Sequence, residues 1–83
     1  MSYKVVFTYR ALKDLKKIDK KIQKRLLLKI KEYSKNPFNY CIKLTSPLIG
    51  TYRYRIGDYR VIFDIEGKEI VILRIGHRKE IYK

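Results

Sequence analysis

Apolar residues along this chain change their period twice, and the changes divide it into elements. Residues 2–8, SYKVVFT, alternate Tyr3, Val5 and Phe7 with smaller or polar neighbours and are rich in β-branched and aromatic types, which predicts an opening strand. Thr8 then suits the N-cap of a helix. In the YRALKDLKKI that follows, Ala11, Leu12, Leu15 and Ile18 fall within one arc of a helical period, while Lys13, Lys16 and Lys17 point elsewhere. Asp19 is the next N-cap candidate, and Ile22, Leu26, Ile30 and Tyr33 stay in register through a second helix that Asn36-Pro37 ends. Leu28 falls off that apolar arc and is expected on the surface.

Two amphipathic helices joined by almost nothing form a hairpin that must bury its apolar stripe against something, and a sheet is the partner the rest of the chain offers. NYCIKL predicts a short, irregular strand. IGTYRYRI, YRVIFDI and EIVILRI then follow as a meander, punctuated at Gly57-Asp58 and Glu66-Gly67-Lys68. The last of these is apolar at nearly every residue, as a central strand covered on both faces should be, and residues 3–7 are expected to pair beside it. The predicted fold is α+β: an N-terminal strand, a two-helix hairpin, then an antiparallel meander, with the helices on one face of a small sheet. Residues 1–83 form a single domain in this reading, too short for two cores.

The same alternation sorts the side chains between faces. Tyr52, Tyr54, Ile56, Tyr59, Val61, Phe63 and Ile65 turn beneath the helices, and Arg53, Arg55 and Arg60 turn away. If Gly57-Asp58 is the whole loop, Ile56 faces Tyr59 and Arg55 lies across from Arg60. Like charges opposed across strands destabilise a sheet. An arrangement of this kind calls for an anion.

Charge points the same way. Twenty-one Lys and Arg stand against 8 Asp and Glu, a formal charge of +13, and so cationic a small domain repels itself until it meets a polyanion. Nucleic acid or an acidic protein is the expected partner. The single cysteine, Cys41, excludes an internal disulfide, and one cysteine with one histidine cannot assemble a Cys/His zinc site. No apolar run approaches the length of a bilayer span and the first residues lack the apolar core of a signal peptide, so a cytoplasmic protein with no membrane partner is expected.

Past the last strand, RIGHRKEIYK gathers the one histidine, another arginine and a tyrosine. These are residue types suited to a phosphodiester. Arg78, helped by Arg53, Arg55 or Arg60, is placed to neutralise an oxyanion developing at phosphorus, because guanidinium forks match phosphate oxygens. His77 has the chemistry to take a proton from a ribose 2′-hydroxyl or return one to the leaving oxygen. Tyr82 has the chemistry to donate a proton, orient the hydroxyl or stack on a base. Asp58 and Asp64 read as isolated, so no carboxylate cluster is expected for a two-metal nuclease, and no metal or other cofactor is expected. Each candidate has a plainer alternative: an exposed histidine, solvated strand arginines, a frayed terminal tyrosine and a solvated lysine face on the helices.

The order strand, helical hairpin, meander, together with ALKDLKKI, YRYRIGDYRVIFDI and GHRKEIY, resembles the RelE/ParE toxin superfamily over essentially the whole chain, and the RelE branch more than the gyrase-poisoning ParE branch. The resemblance implies a toxin of a type II toxin-antitoxin system. It further implies a toxin that enters the ribosomal A site, cleaves mRNA by 2′-hydroxyl attack to leave a 2′,3′-cyclic phosphate, and is checked by a cognate RelB-like antitoxin. Carried over residue by residue, Arg53 and Arg55 are the paired basic positions, Arg60 contacts the reacting phosphate, Arg78 stabilises the transition state, and Tyr82 positions substrate or moves protons. Well-known RelE toxins carry lysines where this chain has Arg53 and Arg55, and a guanidinium is a poor base. That departure moves the expected proton acceptor to His77. The alternatives are a gyrase-inhibiting ParE-like toxin and a non-catalytic basic RNA-binding domain.

Overall fold

The computed structural model describes residues 3–45 and 50–81. Ser2 and Ile49, each within a stretch expected to form a strand, lie outside the described residues, as does Tyr82. The elements run β1 (Lys4–Phe7), α1 (Tyr9–Lys16), α2 (Lys20–Tyr33), a 3-10 turn (Pro37–Asn39), β2 (Cys41–Lys43), β3 (Tyr52–Ile56), β4 (Tyr59–Glu66) and β5 (Glu69–His77). Both expected caps form: the Thr8 hydroxyl accepts from the Ala11 N–H at 3.1 Å and an Asp19 carboxylate oxygen from the Lys21 N–H at 3.1 Å.

The strands make one five-stranded sheet in the order β1-β5-β4-β3-β2, antiparallel except for β1, which runs parallel to β5. The helices cover one face. Ala11 and Leu15 of α1 and Leu26 and Ile30 of α2 pack with Tyr54, Ile56, Val61, Phe63, Ile70, Ile72 and Ile75 into one core. Leu12, expected on the buried arc, is instead 44% exposed. It lies at the rim of an eight-residue helix whose contact with the sheet is narrow enough to be filled by Ala11 and Leu15.

Two-residue hairpin loops set the register. Gly57 at φ +59° and Gly67 at φ +60° supply the left-handed first loop residue that such turns need. Arg55 therefore stands directly opposite Arg60 and Ile56 opposite Tyr59. Along β4 and β5, pairing runs in step from Glu66 opposite Glu69 to Phe63 opposite Ile72, and there Leu73 goes unopposed, so that Ile62 meets Arg74. This is a β-bulge, and it moves every later residue of β5 by one position.

The bulge coincides with the end of β1, which leaves the edge of β5 uncovered, and α1 takes the place of the missing strand. Thr8 donates its N–H to the Ile72 carbonyl at 3.0 Å and its hydroxyl to the Leu73 carbonyl at 3.3 Å. Asp14, with a side chain only 10% exposed, accepts from the Ile75 N–H at 3.0 Å and from Arg74 Nε at 2.8 Å. Removing this carboxylate orphans two donors. Asp14→Ala is expected to cost about 2–3 kcal/mol, read as a lower urea midpoint at unchanged slope.

Burial pushes the Tyr54 phenol up to about 12 from 10, against the opposing influence of its 3.3 Å hydrogen bond with Ser34. The unfolded phenol ionises from pH ~10, whereas the folded one holds its proton until higher pH. Stability from this source is present below pH ~10 and drains away as pH rises towards the folded value. The expected result is that urea midpoints of the wild type fall more steeply above pH ~10 than those of Tyr54→Phe.

Candidate functional site

The face of the sheet away from the helices carries the arginines, gathered at the Gly57-Asp58 end. Arg55 is exposed, Arg53 is half-buried on the same strand face, and Arg60 lies opposite Arg55. Arg60 is not one more exposed guanidinium: it is 7% exposed, and its Nη1 donates to the carbonyls of Gly57 at 3.0 Å and Tyr59 at 2.9 Å. A buried cation must find acceptors. The carbonyls of the hairpin supply them, which is how the fold tolerates a second arginine across from Arg55.

Arg78 joins this face through the bulge. Without the unopposed Leu73, Gly76 would stand against Tyr59 and His77 against Asp58; with it, His77 pairs with Tyr59 and Gly76 with Arg60. Beyond His77 the alternation returns to the arginine side. The Arg78 N–H donates to the Asp58 carbonyl at 2.8 Å and Arg78 Nε lies 3.5 Å from an Asp58 carboxylate oxygen, with both side chains mostly exposed. Asp58 is therefore the ion-pair partner of Arg78. The carboxylate of Asp64 accepts from the Thr51 N–H at 2.8 Å.

The shift that brings in Arg78 turns His77 the other way. Its ring packs edge-on against Tyr59, with centroids 5.5 Å apart, and borders a cavity of about 440 Å³ lined also by Asp14, Lys17, Asp19 and Glu80. His77 Nδ1 accepts from the Lys79 N–H at 3.1 Å, so the neutral ring carries its proton on Nε2. Of the six candidates named from the sequence, four (Arg53, Arg55, Arg60 and Arg78) come to one face; His77 faces away and Tyr82 lies outside the described residues.

Sequence reasoning missed the role of Asp58 and the clasp of Arg74 by Asp14. The signal for the first was the hairpin register, had the bulge been known. The second joins residues 60 positions apart and left no local trace.

A helical hairpin therefore covers one face of this sheet, and a cluster of arginines occupies one end of the other. The family model described as ParE toxin of type II toxin-antitoxin system, parDE, matches residues 5–82. The chain belongs to the RelE/ParE family of toxins of type II toxin-antitoxin systems. Within it the chain stands with the RelE-like members. It is 37% identical to toxin RelE3 of Methanocaldococcus jannaschii, over 95% of this chain and 94% of that one. It is 34% identical to toxin RelG of Mycobacterium tuberculosis, over 100% and 99%. The crystal structure of the RelBE2 toxin-antitoxin complex of Mycobacterium tuberculosis contains a similar chain, with a TM-score of 0.84 at 32% identity, covering 94% of this chain and all of that one. The RelB-RelE complex of Methanococcus jannaschii gives 0.74 at 32% identity, over 94% and 95%. No helix among the described residues is long and apolar enough to cross a membrane.

Proposed function

We propose that this toxin is a ribosome-dependent mRNA endonuclease of the cytoplasm, held inactive by a RelB-like antitoxin. The observation that carries the reading is the gathering of Arg53, Arg55, Arg60 and Arg78 at one end of the sheet face away from the helices. Permanent cations gathered in this way suit a nucleic-acid backbone, and Arg78, exposed at the tip, is placed to meet a phosphate in its transition state. In this scheme the ribose 2′-oxygen attacks the adjacent phosphorus, the bond to the 5′-oxygen breaks, and a 2′,3′-cyclic phosphate remains. Arg53 and Arg55 hold the flanking backbone, and Arg60 stiffens the hairpin that carries Asp58 and reaches the phosphate from there. His77, on the Tyr59 side, borders the site from behind the hairpin, and Tyr82 positions the substrate. The antitoxin follows from the two RelB-bound relatives and from charge: an acidic partner relieves the repulsion that the arginine face carries alone.

The family model is one of ParE toxins, which favours gyrase inhibition as the second reading. Primer-extension mapping of mRNA on ribosomes with a vacant A site, beside a gyrase supercoiling assay, separates the two. Cleavage within the A-site codon and intact gyrase activity are expected. Gyrase inhibition with uncut mRNA would establish the second reading.

A further inference from the structure

The mechanism needs a group to take the 2′-hydroxyl proton, and the arginine face is short of one. Arg53, Arg55, Arg60 and Arg78 remain protonated throughout any working pH. His77 packs on the Tyr59 side with its Nδ1 lone pair already occupied by the Lys79 N–H. Tyr59 itself alternates to the helix side, next to Ile56. Asp64 lies four residues along β4 from Arg60, away from the hairpin tip, where its carboxylate accepts from the Thr51 N–H. Among the described residues at the tip of this face, the proton acceptor left is the carboxylate of Asp58, 68% exposed and 3.5 Å from Arg78 Nε.

We propose that Asp58 is the general base of this site. The inference rests on the endonuclease reading above and deepens it. One carboxylate oxygen lies 3.5 Å from Arg78 Nε in an ion pair, which leaves the second for a hydroxyl, while the Nη edge of the guanidinium remains for the phosphate. A ribose presents the same pair of groups side by side, a 2′-hydroxyl next to a 3′-phosphate. Proximity of base and clamp therefore matches proximity of nucleophile and electrophile. Asp58 takes the proton as the O2′–P bond forms; the P–O5′ bond breaks, the negative charge passes to the 5′-oxygen, and solvent protonates it. The backbone bond from the Arg78 N–H to the Asp58 carbonyl, 2.8 Å, ties the two residues into one ladder so that they move together.

The charged groups around Asp58 are Arg78, Arg60 and Arg55, together with Arg25 of α2, whose Nη2 lies 3.7 Å from where a Cβ on Gly57 would stand. All are guanidiniums that do not titrate with it. A fall in rate on acidification that Asp58 causes will vanish with the carboxylate, whereas one that His77 causes will persist. Single-turnover cleavage on A-site-vacant ribosomes is the experiment, comparing the full-length wild type with Asp58→Asn and Asp58→Glu across pH. Asparagine keeps an oxygen for Arg78 Nε and cannot accept the proton. The expected result is a rate at least ~100-fold lower for Asp58→Asn, with ribosome binding equal or tighter, no acid limb, and activity partly restored in Asp58→Glu. Cleavage by Asp58→Asn within about 3-fold of wild type overturns the proposal, because a general base contributes more than that. A slow Asp58→Asn that keeps the wild-type acid limb overturns it too, and leaves Asp58 as a residue that only positions Arg78. No cleavage by the wild type overturns the endonuclease reading, and this one with it.

Discussion

Arg78→Ala is expected to lower the single-turnover rate of A-site cleavage by ~10²–10³-fold while weakening ribosome binding less than ~10-fold. The asymmetry comes from where the charge acts. Backbone binding is shared among the cations of a chain that carries 21 Lys and Arg, so one fewer shifts affinity and its salt dependence modestly. Charge development on phosphorus is met at one place, and the exposed tip of the arginine face is where a guanidinium has Nη donors to spare. Folding does not confuse the result. The pair Arg78–Asp58, with side chains 53% and 68% exposed, belongs to the class of surface ion pairs worth little to stability. Arg60→Ala is a poorer probe, because its guanidinium also ties the Gly57 and Tyr59 carbonyls, and its loss loosens the hairpin itself. An Arg78→Ala protein that cleaves within a factor of about three of wild type would remove the transition-state role assigned to this residue.

What the sequence made legible was local or periodic. Thr8 and Asp19 announce their helices because a cap is a single side chain read against the residues that follow. The Arg55–Arg60 opposition follows from a two-residue loop, in which the glycine fixes the turn and the turn fixes the register. What stayed hidden depends on the bulge at Leu73. EIVILRI is apolar almost throughout, so it carries no alternation from which an extra residue could be detected. A slip of one position exchanges the two faces, which is why the expected company of His77 with the arginines gives way to its packing on Tyr59, and why Arg78 takes the place beside Asp58. The burial of Arg60 is a different kind of omission. Alternation assigns a side chain to a face but says nothing of how that face is covered, and Ile81 packs closely enough over Gly76, the partner of Arg60, that a Cβ there would lie 3.0 Å from its Cδ1.

Phe63→Ala is expected to destabilise the fold by about 3–5 kcal/mol, enough to leave a domain of this size marginal at room temperature. Phe63 is wholly buried. Its ring lies 4.3 Å from that of Tyr54 and 5.8 Å from that of Tyr52, and Ile72 stands opposite on β5, so truncation opens a cavity bounded by three strands. Phe63→Leu fills most of that space and should cost roughly a third as much. Urea denaturation followed by circular dichroism gives the comparison, and a shift worth under ~1 kcal/mol for the alanine variant would mean that the core closes over the gap. The position matters beyond its volume, because Phe63–Ile72 is the last pair in step before the bulge. Packing at this rung holds the register that decides whether Arg78 or His77 meets Asp58. Cleavage by Phe63→Ala should therefore fall by more than its unfolded fraction, whereas in Phe63→Leu, with the rung kept, loss of activity should track unfolding alone.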